Sequence, residues 1–430
     1  MPRARPTPRL AALLTAAVLT LAASVAVAQE FDWRRFEGQT LNVLLVSSSW
    51  TTVIEPRVAE FEALTGIDVE LQVMPEQQGR QRLLVDFAAG GNTVDVFDSA
   101  LHNEKPRFTR AGWYEPLDAY LASDLTHPEF DFADFFPANQ AAATASDGAI
   151  IAFPTKPTAQ LFFYRTDLFE AAGIAVPTTL EEMEAAAAAL HNPPELYGYA
   201  GRGMRNANVW TFAGINQAFG GHWLDDEGRI DIATPETEAA LDYYAHLMRT
   251  YAPPGAVGYN WDQVLADFTQ GRVAMFHDSA SLAAQVENPE RSTVVGLTGY
   301  AVIPGGVAPT VDGALAISSR ARQKDAAYYF LQWATSKEMN LAQIDEGVIS
   351  ARMSAWSDHP SEPLASIPWA QAFFEGLQVG QPALPQINAV TEMRDILGIA
   401  IVNVIEGSDS ARELATAERE IQAVLDRTEE

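Results

Sequence analysis

LNVLLVSSSWTT, residues 41–52, is an apolar run that ends at three serines and a tryptophan. The apolar residues predict a strand buried on both faces, the kind found in parallel sheets. Thr52 and Glu55 have the spacing of a capping box, which predicts the start of a helix. The stretch therefore predicts a strand, a corner with hydroxyl and indole side chains, and then a helix.

The elements that follow repeat this unit. The helix ends at Thr65-Gly66, residues 67–73 alternate as a second strand, residues 78–89 form a helix, and residues 94–97 form a third strand. This βαβαβ order predicts a doubly wound sheet, in which ligands bind beyond the carboxyl ends of the strands. The residues expected at that edge are Ser47 to Trp50, Glu76-Gln77 and Asp98.

Two proline-containing stretches resemble connections between lobes. AIIAFPTKPTAQLFFYRTDLF, residues 149–169, holds two apolar strands around Pro154 and Pro157. GYAVIPGGVAPTVDGALAIS, residues 299–318, is strand-like and rich in turn residues, so it is a candidate second crossing. Helical patterns fill much of the rest, including residues 324–335 and 391–406.

The N-terminus has the pattern of a secretory signal peptide. Residues 1–28 contain three arginines, then an alanine-rich apolar stretch, then Ala26-Val27-Ala28, which predicts cleavage after Ala28. A membrane anchor is the alternative, but the apolar stretch is weakly hydrophobic. Because no lipid-bearing cysteine follows the cut, we expect the mature chain to be free in the periplasm.

Composition excludes several classes of function. The 430-residue chain has no cysteine, which excludes disulfides and thiolate metal sites. Its formal net charge is −28, from 28 basic and 56 acidic residues. Such a surface repels nucleic acid and anionic lipid, so neither is expected as a partner.

The serine corner lacks the signs of catalysis. No G-x-S-x-G elbow surrounds Ser47 to Ser49, and the seven histidines show no metal-ligand spacing. A phosphate cradle would need glycines that are absent from residues 47–50. Hydroxyl groups beside an indole suit a polyhydroxylated ligand, because indole stacks on its C–H face. We therefore predict binding, with no cofactor and no metal.

Six segments, in order and spacing, resemble the family 1 extracellular solute-binding proteins, the maltose-binding-protein-like subunits of bacterial ABC carbohydrate importers. They are FEALTGIDVEL, GWYEPLDAYL, FYRTDLFEAAGIAVPTTLEEMEAAAAAL, FAGINQAFGGHWLDDEGRIDIATPETEAALDYY, FTQGRVAMFHDSA and GYAVIPGG. The resemblance implies an α/β periplasmic binding protein fold with two lobes. Each lobe is then a sheet flanked by helices, and crossing strands at a hinge join the two. It also implies a monomer that delivers its ligand to transmembrane permease subunits.

The two crossings predict lobes built from non-contiguous chain. The N-terminal lobe is expected to contain residues 29–152 plus 304–353. The C-terminal lobe is expected to contain residues 156–300 plus 357–430.

Site residues come partly from the strand edge and partly from the resemblance. The first lobe contributes three candidates that lie beyond the carboxyl ends of its strands: Ser48, Trp50 and Asp98. The resemblance places Trp210 and Trp261 where relatives stack aromatic rings on sugars, although core packing suits tryptophan equally well. It also places Asp278 as a hydrogen-bond acceptor at the cleft. The weaker candidates are Lys156, where the family often has an acidic residue, and Asp312 and Arg352, for which surface salt bridges are an alternative.

The predicted function is capture of a sugar, polyol or short oligosaccharide between the lobes. A cationic solute such as a polyamine is one alternative, since the chain is acidic and Trp–Asp pairs can hold an ammonium. A secreted glycoside hydrolase that pairs Asp98 with Asp278 across the cleft is another.

Overall fold

The computed structural model describes residues 31–429, and for residues 76, 77, 312 and 429 it describes only the backbone. The signal peptide predicted over residues 1–28 lies outside the described residues. Within residues 31–429, no helix combines the length and the apolar character that crossing a membrane requires.

The first part of the chain forms the predicted βαβαβ unit. Strand β1 pairs in parallel with β2 on one side and with β3 on the other. The elements are β1 (Thr40–Val46), α1 (Ser49–Ile54), α2 (Val58–Thr65), β2 (Asp68–Met74), α3 (Glu76–Ala88), β3 (Val96–Ala100), α4 (Leu101–Arg110), α5 (Asp118–Leu121) and α6 (Pro137–Ala142).

One long strand, β4 (Phe153–Arg165), then joins two sheets. Its first half, from Phe153 to Ala159, pairs with a later strand, and its second half pairs with β5 (Met275–Ser279) and β6 (Thr298–Ala301). The prediction of two strands around the prolines was wrong. The register shifts between Pro154 and Lys156, beside the first proline, while Pro157 lies opposite Asp312 in the same strand.

The partner of the first half of β4 is β7 (Pro309–Ile317), which pairs on its other side with β3. The sheet order is therefore β2-β1-β3-β7-β4-β5. Strands β4 and β7 are antiparallel neighbours at its centre, and they lie in the two stretches predicted as crossings.

The remaining elements are mostly helices. Between β4 and β7 lie α7 (Thr166–Ala172), α8 (Leu180–Leu190), α9 (Asn208–Ala218), α10 (Pro235–Thr250), α11 (Trp261–Thr269) and α12 (Ala283–Val286). After β7 come α13 (Lys324–Ala334), α14 (Lys337–Asp345), α15 (Met353–Ser357), α16 (Pro363–Ser366), α17 (Ala370–Val379), β8 (Gln381–Pro382), α18 (Val390–Ile405) and α19 (Ser410–Glu429).

The apolar core is divided into clusters that each draw on distant parts of the sequence. One cluster combines residues 44–152 with residues 314–316. Another combines residues 162–275 with residues 383–425. This mixing agrees with non-contiguous lobes, while the residue boundaries given above stay a prediction.

Candidate functional site

Two adjoining cavities lie beside the central strands β4 and β7. The larger has a volume of about 370 Å³ and the smaller about 200 Å³. Three residues line both: His102 of α4, Thr158 of β4 and Val311 of β7. The two cavities are therefore parts of one cleft whose wall includes both crossing strands.

The smaller cavity lies at the carboxyl ends of β1 and β3, where the sequence predicts a ligand. Ser48 lines it and caps α1, because its Oγ accepts a hydrogen bond from Thr51 N at 3.2 Å. Helix α1 therefore begins before Thr52, and the predicted Thr52–Glu55 capping box was wrong. Asp98, at 3% exposure, lines the same cavity and accepts a hydrogen bond from Val46 N at 3.4 Å.

Lys156 reaches the smaller cavity from β4. Its Nζ donates to Asp98 Oδ2 in an ion pair, so one buried carboxylate neutralises one cation. The side chain of Lys156 is about one-fifth exposed, whereas that of Asp98 is buried. The structure thus brings Ser48, Asp98 and Lys156 to one place, and their contact with a ligand stays a prediction.

Glu104 and Arg80 form a second pair in the same cavity, and the sequence did not suggest either. Burial raises the pKa of Glu104 to about 7, and Arg80, with its Nε 3.3 Å from Glu104 Oε1, opposes that rise. The carboxylate also accepts hydrogen bonds from Ala100 N and Ser99 Oγ, both at 2.9 Å. Helix α4 begins directly after β3, and Glu104 is its fourth residue. A position this close to the end of a strand could have been predicted from the sequence.

Asp278 lies behind the wall of the larger cavity. It is fully buried, and it accepts hydrogen bonds from Arg202 Nε at 2.7 Å, Trp210 Nε1 at 3.0 Å and Ser279 N at 2.6 Å. A second nitrogen of Arg202 completes a two-pronged ion pair with the carboxylate. Asp278 therefore holds Arg202 and Trp210, which line the cavity, and its own contact with a ligand stays a prediction.

Two tryptophans line the larger cavity, as the sequence predicts for a stacking surface. Trp210 belongs to α9 and is 8% exposed, so most of its indole is packed in the core. Trp261 is the first residue of α11 and is 40% exposed. Trp261 is the better placed of the two to offer a ring face to a ligand, and stacking stays a prediction for both.

The structure does not bring Trp50 or Arg352 to the cleft. Trp50 is 1% exposed, because the first turn of α1 directs its indole into the interior. Arg352 is 2% exposed: its Nε donates to Thr335 O at 2.7 Å, and its guanidinium lies 4.2 Å from the ring centre of Phe135. These contacts make Arg352 a structural residue. Asp312 lies in β7 opposite Pro157, and its side chain is outside the described part of the chain.

Several lining residues were missed by the sequence analysis. The larger cavity also contains Arg202, Arg394, Ser279, Ser281, Leu282, Gln285 and Leu384. Arg202 lies two residues after Ala200, which bridges to Phe276 of β5, and local sequence does not reveal that long-range pairing. Arg394 is on the first turns of α18, and no local pattern marks it as a cleft residue.

The pair suggested for glycoside hydrolysis is occupied by other partners. Asp98 is held by Lys156, and Asp278 is fully buried against Arg202. A general acid needs a carboxyl group that can reach the scissile bond, and neither carboxyl group is free to do so.

Comparison with known proteins identifies the family. The family profile described as bacterial extracellular solute-binding protein matches residues 47–341. A mannitol-binding protein of Pseudomonas aeruginosa is 30% identical over 360 residues, which cover 80% of this chain and 79% of that protein. An erythritol/L-threitol-binding protein of Mycolicibacterium smegmatis is 25% identical over 349 residues, which cover 74% of this chain and 71% of that protein.

Solved structures agree with this assignment. A solute-binding protein from Agrobacterium radiobacter in complex with ribitol superposes with a TM-score of 0.74 at 27% identity, covering 90% of this chain and 99% of that chain. The sugar-binding protein MalE from Xanthomonas citri has a TM-score of 0.78 at 22% identity, and the superposition covers 90% of this chain and 98% of that chain. This similarity shows the shared fold. The predicted two-lobed α/β fold is thereby confirmed. The chain belongs to the bacterial extracellular solute-binding proteins of ABC importers, and it is a binding protein rather than an enzyme.

Proposed function

We propose that this protein captures a sugar alcohol or a small sugar in the cleft and delivers it to the membrane permease of an ABC importer. The observation that carries the proposal is the larger cavity, which combines hydroxyl groups, a forked arginine and two indoles. The relatives named for mannitol and for erythritol or L-threitol support the polyol class.

A connected row of hydroxyl groups lines one side of this cavity. Ser279 Oγ lies 2.9 Å from Thr158 Oγ1 and 2.8 Å from Ser281 Oγ. Each hydroxyl is both donor and acceptor, so the row can reorient its hydrogens to match the hydroxyls of a ligand. It also connects β4 to β5, which sets the spacing of the three groups.

Arg202 supplies a fixed set of donors on the same cavity. Its guanidinium is planar and is held by Asp278 through two nitrogens. The N–H groups that do not face Asp278 can donate to adjacent hydroxyl oxygens of a polyol. Because the arginine is held before the ligand arrives, little side-chain entropy is lost on binding.

The size of the larger cavity favours a small ligand. The larger cavity, at about 370 Å³, is near the lower end of the roughly 300–1,000 Å³ found for ligand pockets. A single sugar or sugar alcohol therefore suits it better than a long oligosaccharide. The two guanidinium groups in its lining also argue against the polyamine alternative, since they repel an ammonium group.

For localisation, we propose export through the signal peptide predicted over residues 1–28 and release into the periplasm without a lipid anchor. The extracellular family supports export. The lack of cysteine in the sequence supports release, because lipid attachment at such a cut uses that residue.

A ligand screen tests the proposal. The melting temperature would be measured with mannitol, ribitol, erythritol, glucose, maltose and putrescine, and positive ligands would be titrated by calorimetry. A bound ligand at 100 times its Kd adds about 2.7 kcal/mol to the free energy of unfolding. We expect stabilisation by at least one polyol or small sugar, and stabilisation by putrescine alone would refute the proposal.

Two glutamines offer a matched control. Gln285 lines the larger cavity, whereas Gln371 is an exposed residue that contacts Glu375 on α17. Loss of one hydrogen bond to the ligand costs about 0.5–1.5 kcal/mol, so Gln285→Ala should weaken binding a few-fold to tenfold. Gln371→Ala should leave the affinity unchanged.

A further inference from the structure

The larger cavity has a charge opposite to that of the whole chain. The chain has twice as many acidic as basic residues, 56 against 28. The cavity is nevertheless lined by Arg202, Arg394 and His102, and by no aspartate or glutamate among the side chains that the structure describes. A basic cleft in an acidic protein favours a ligand with negative charge.

The charge of one of these arginines is balanced and that of the other is not. Arg202 is paired with Asp278. Arg394 donates through a terminal nitrogen to Asn206 O at 3.3 Å, and its buried Nε has no hydrogen-bond partner among the side chains that the structure describes. The neighbouring Asp395 is engaged by Asn206 Nδ2 at 2.7 Å and faces Arg205 at 3.7 Å. Within the described part of the chain, no carboxylate forms an ion pair with Arg394.

The surroundings of Arg394 disfavour its positive charge. Burial is the main cause that lowers the pKa of Arg394, and the nearby charges of Arg202 and Arg80 lower it further, while the charge of Asp395 opposes them in part. The other cations of the cleft, Lys156 and Arg80, each have an acidic partner. A partly buried guanidinium that lacks a counter-charge is stabilised when an anion binds beside it.

We propose that the ligand of this cleft is a sugar acid, a polyhydroxylated chain whose terminal carboxylate is bound by Arg394 with Arg202 beside it. The inference rests on the proposed function and specifies its ligand class. A carboxylate has one negative charge, which matches the one guanidinium in the lining that forms no ion pair with a described side chain. A phosphate ester has nearly two negative charges and therefore matches one guanidinium less well. The hydroxyl row of Thr158, Ser279 and Ser281 then meets the remainder of the chain.

The test compares ligands that differ only in the charged group. Calorimetry would measure D-mannonate against D-mannitol, and D-ribonate against ribitol, which differ by a carboxylate in place of a terminal CH₂OH. Charge-assisted hydrogen bonds predict that the wild-type protein binds each acid roughly ten- to a hundredfold more tightly than its alcohol. Added NaCl should weaken binding of the acid and leave binding of the alcohol unchanged.

Arg394→Gln is the decisive variant, and Arg205→Gln is its matched control. Arg205 is an exposed arginine that faces Asp395 and does not line the larger cavity. We expect Arg394→Gln to lose the preference for the acid while still binding the alcohol, which also shows that the variant is folded. Arg205→Gln should keep the preference.

The outcomes separate this inference from the proposed function. Wild-type protein that binds mannitol or ribitol at least as tightly as the matching acid would overturn the inference and leave the proposed function standing. A preference for the acid that survives Arg394→Gln would also overturn it, as would tighter binding of mannitol 1-phosphate than of mannonate. Failure to bind any of these compounds, or the small sugars screened above, would count against both.

Discussion

Replacement of Asp278 by asparagine tests how the wall of the cleft is built. The fully buried carboxylate receives only donors: two nitrogens of Arg202, the indole N–H of Trp210 and the backbone N–H of Ser279. An asparagine side chain keeps the shape but replaces one acceptor oxygen by an NH₂ group. Whichever way this amide is turned, its NH₂ faces at least one of these donors, and Arg202 loses its counter-charge.

The expected loss of stability is large because the pair is buried. The side chain of Arg202 is 14% exposed and that of Asp278 is not exposed at all. Removal of one partner of a buried ion pair typically costs 3–5 kcal/mol, since the other charge is left uncompensated. We therefore expect Asp278→Asn to lower the free energy of unfolding by about 3–5 kcal/mol in the absence of ligand.

Urea unfolding, followed by circular dichroism, measures this loss, and Asp358→Asn provides the matched control. Asp358 pairs with Lys337 at the surface, where both side chains are about half exposed. Such pairs contribute little, so this control should unfold close to the wild-type midpoint. If Asp278→Asn also unfolds near the wild-type midpoint yet loses most of its affinity for ligand, Asp278 contacts the ligand directly and our account of the wall is refuted.

Three further predictions concern single residues of the cleft and the core. Trp261→Ala should weaken ligand binding by about 2–4 kcal/mol in calorimetry, because a stacked aromatic is a hot spot. Trp356→Ala, at a residue 1% exposed, should instead lower the free energy of unfolding by roughly 3–5 kcal/mol; a reversed pattern would exclude stacking by Trp261. Burial raises the pKa of Glu104 from its unfolded value of about 4.3 to about 7, so the folded state binds more protons between these values. Stability should therefore fall as the pH rises from 4.5 to 7, and unfolding curves of Glu104→Gln should lack that part of the decline. Arg352→Met should lower the melting temperature without changing ligand affinity, and a loss of affinity at unchanged stability would return Arg352 to the ligand site.

The fold was largely predictable because its signals are local. The buried apolar run of β1 and the alternation of β2 reflect strand periodicity, and Gly66 takes the left-handed conformation, φ 69°, that ends α2. The failures at this level were also local. Ser48 rather than Thr52 caps α1, since several hydroxyl residues in a row offer more than one capping position. Strand β4 continues past two prolines, with a register shift beside Pro154 and with Pro157 opposite Asp312.

The site was predictable only in part, because tertiary packing decides which side chains meet the cleft. Trp50 and Trp261 both lie in the first turn of a helix, yet one is buried and the other is 40% exposed. No spacing rule separates them. Arg394 lies nearly 200 residues from Arg202, and only the packing of α18 brings it to the same cavity. The resemblance pointed to Asp278 but not to Arg202, the residue that the structure pairs with it.

The pairing of β7 has a consequence for the order in which the chain can fold. Val96 of β3 pairs with Ile317, and Phe153 of β4 pairs with Leu315. Strands β3 and β4 therefore lack this pairing partner until β7, which begins at residue 309, has joined the sheet. Contacts between residues so distant in sequence slow folding, because a long loop must close before they form. We expect refolding from urea to be slow, and stopped-flow fluorescence would measure it. Slow folding is compatible with export of an unfolded precursor through the signal peptide proposed above.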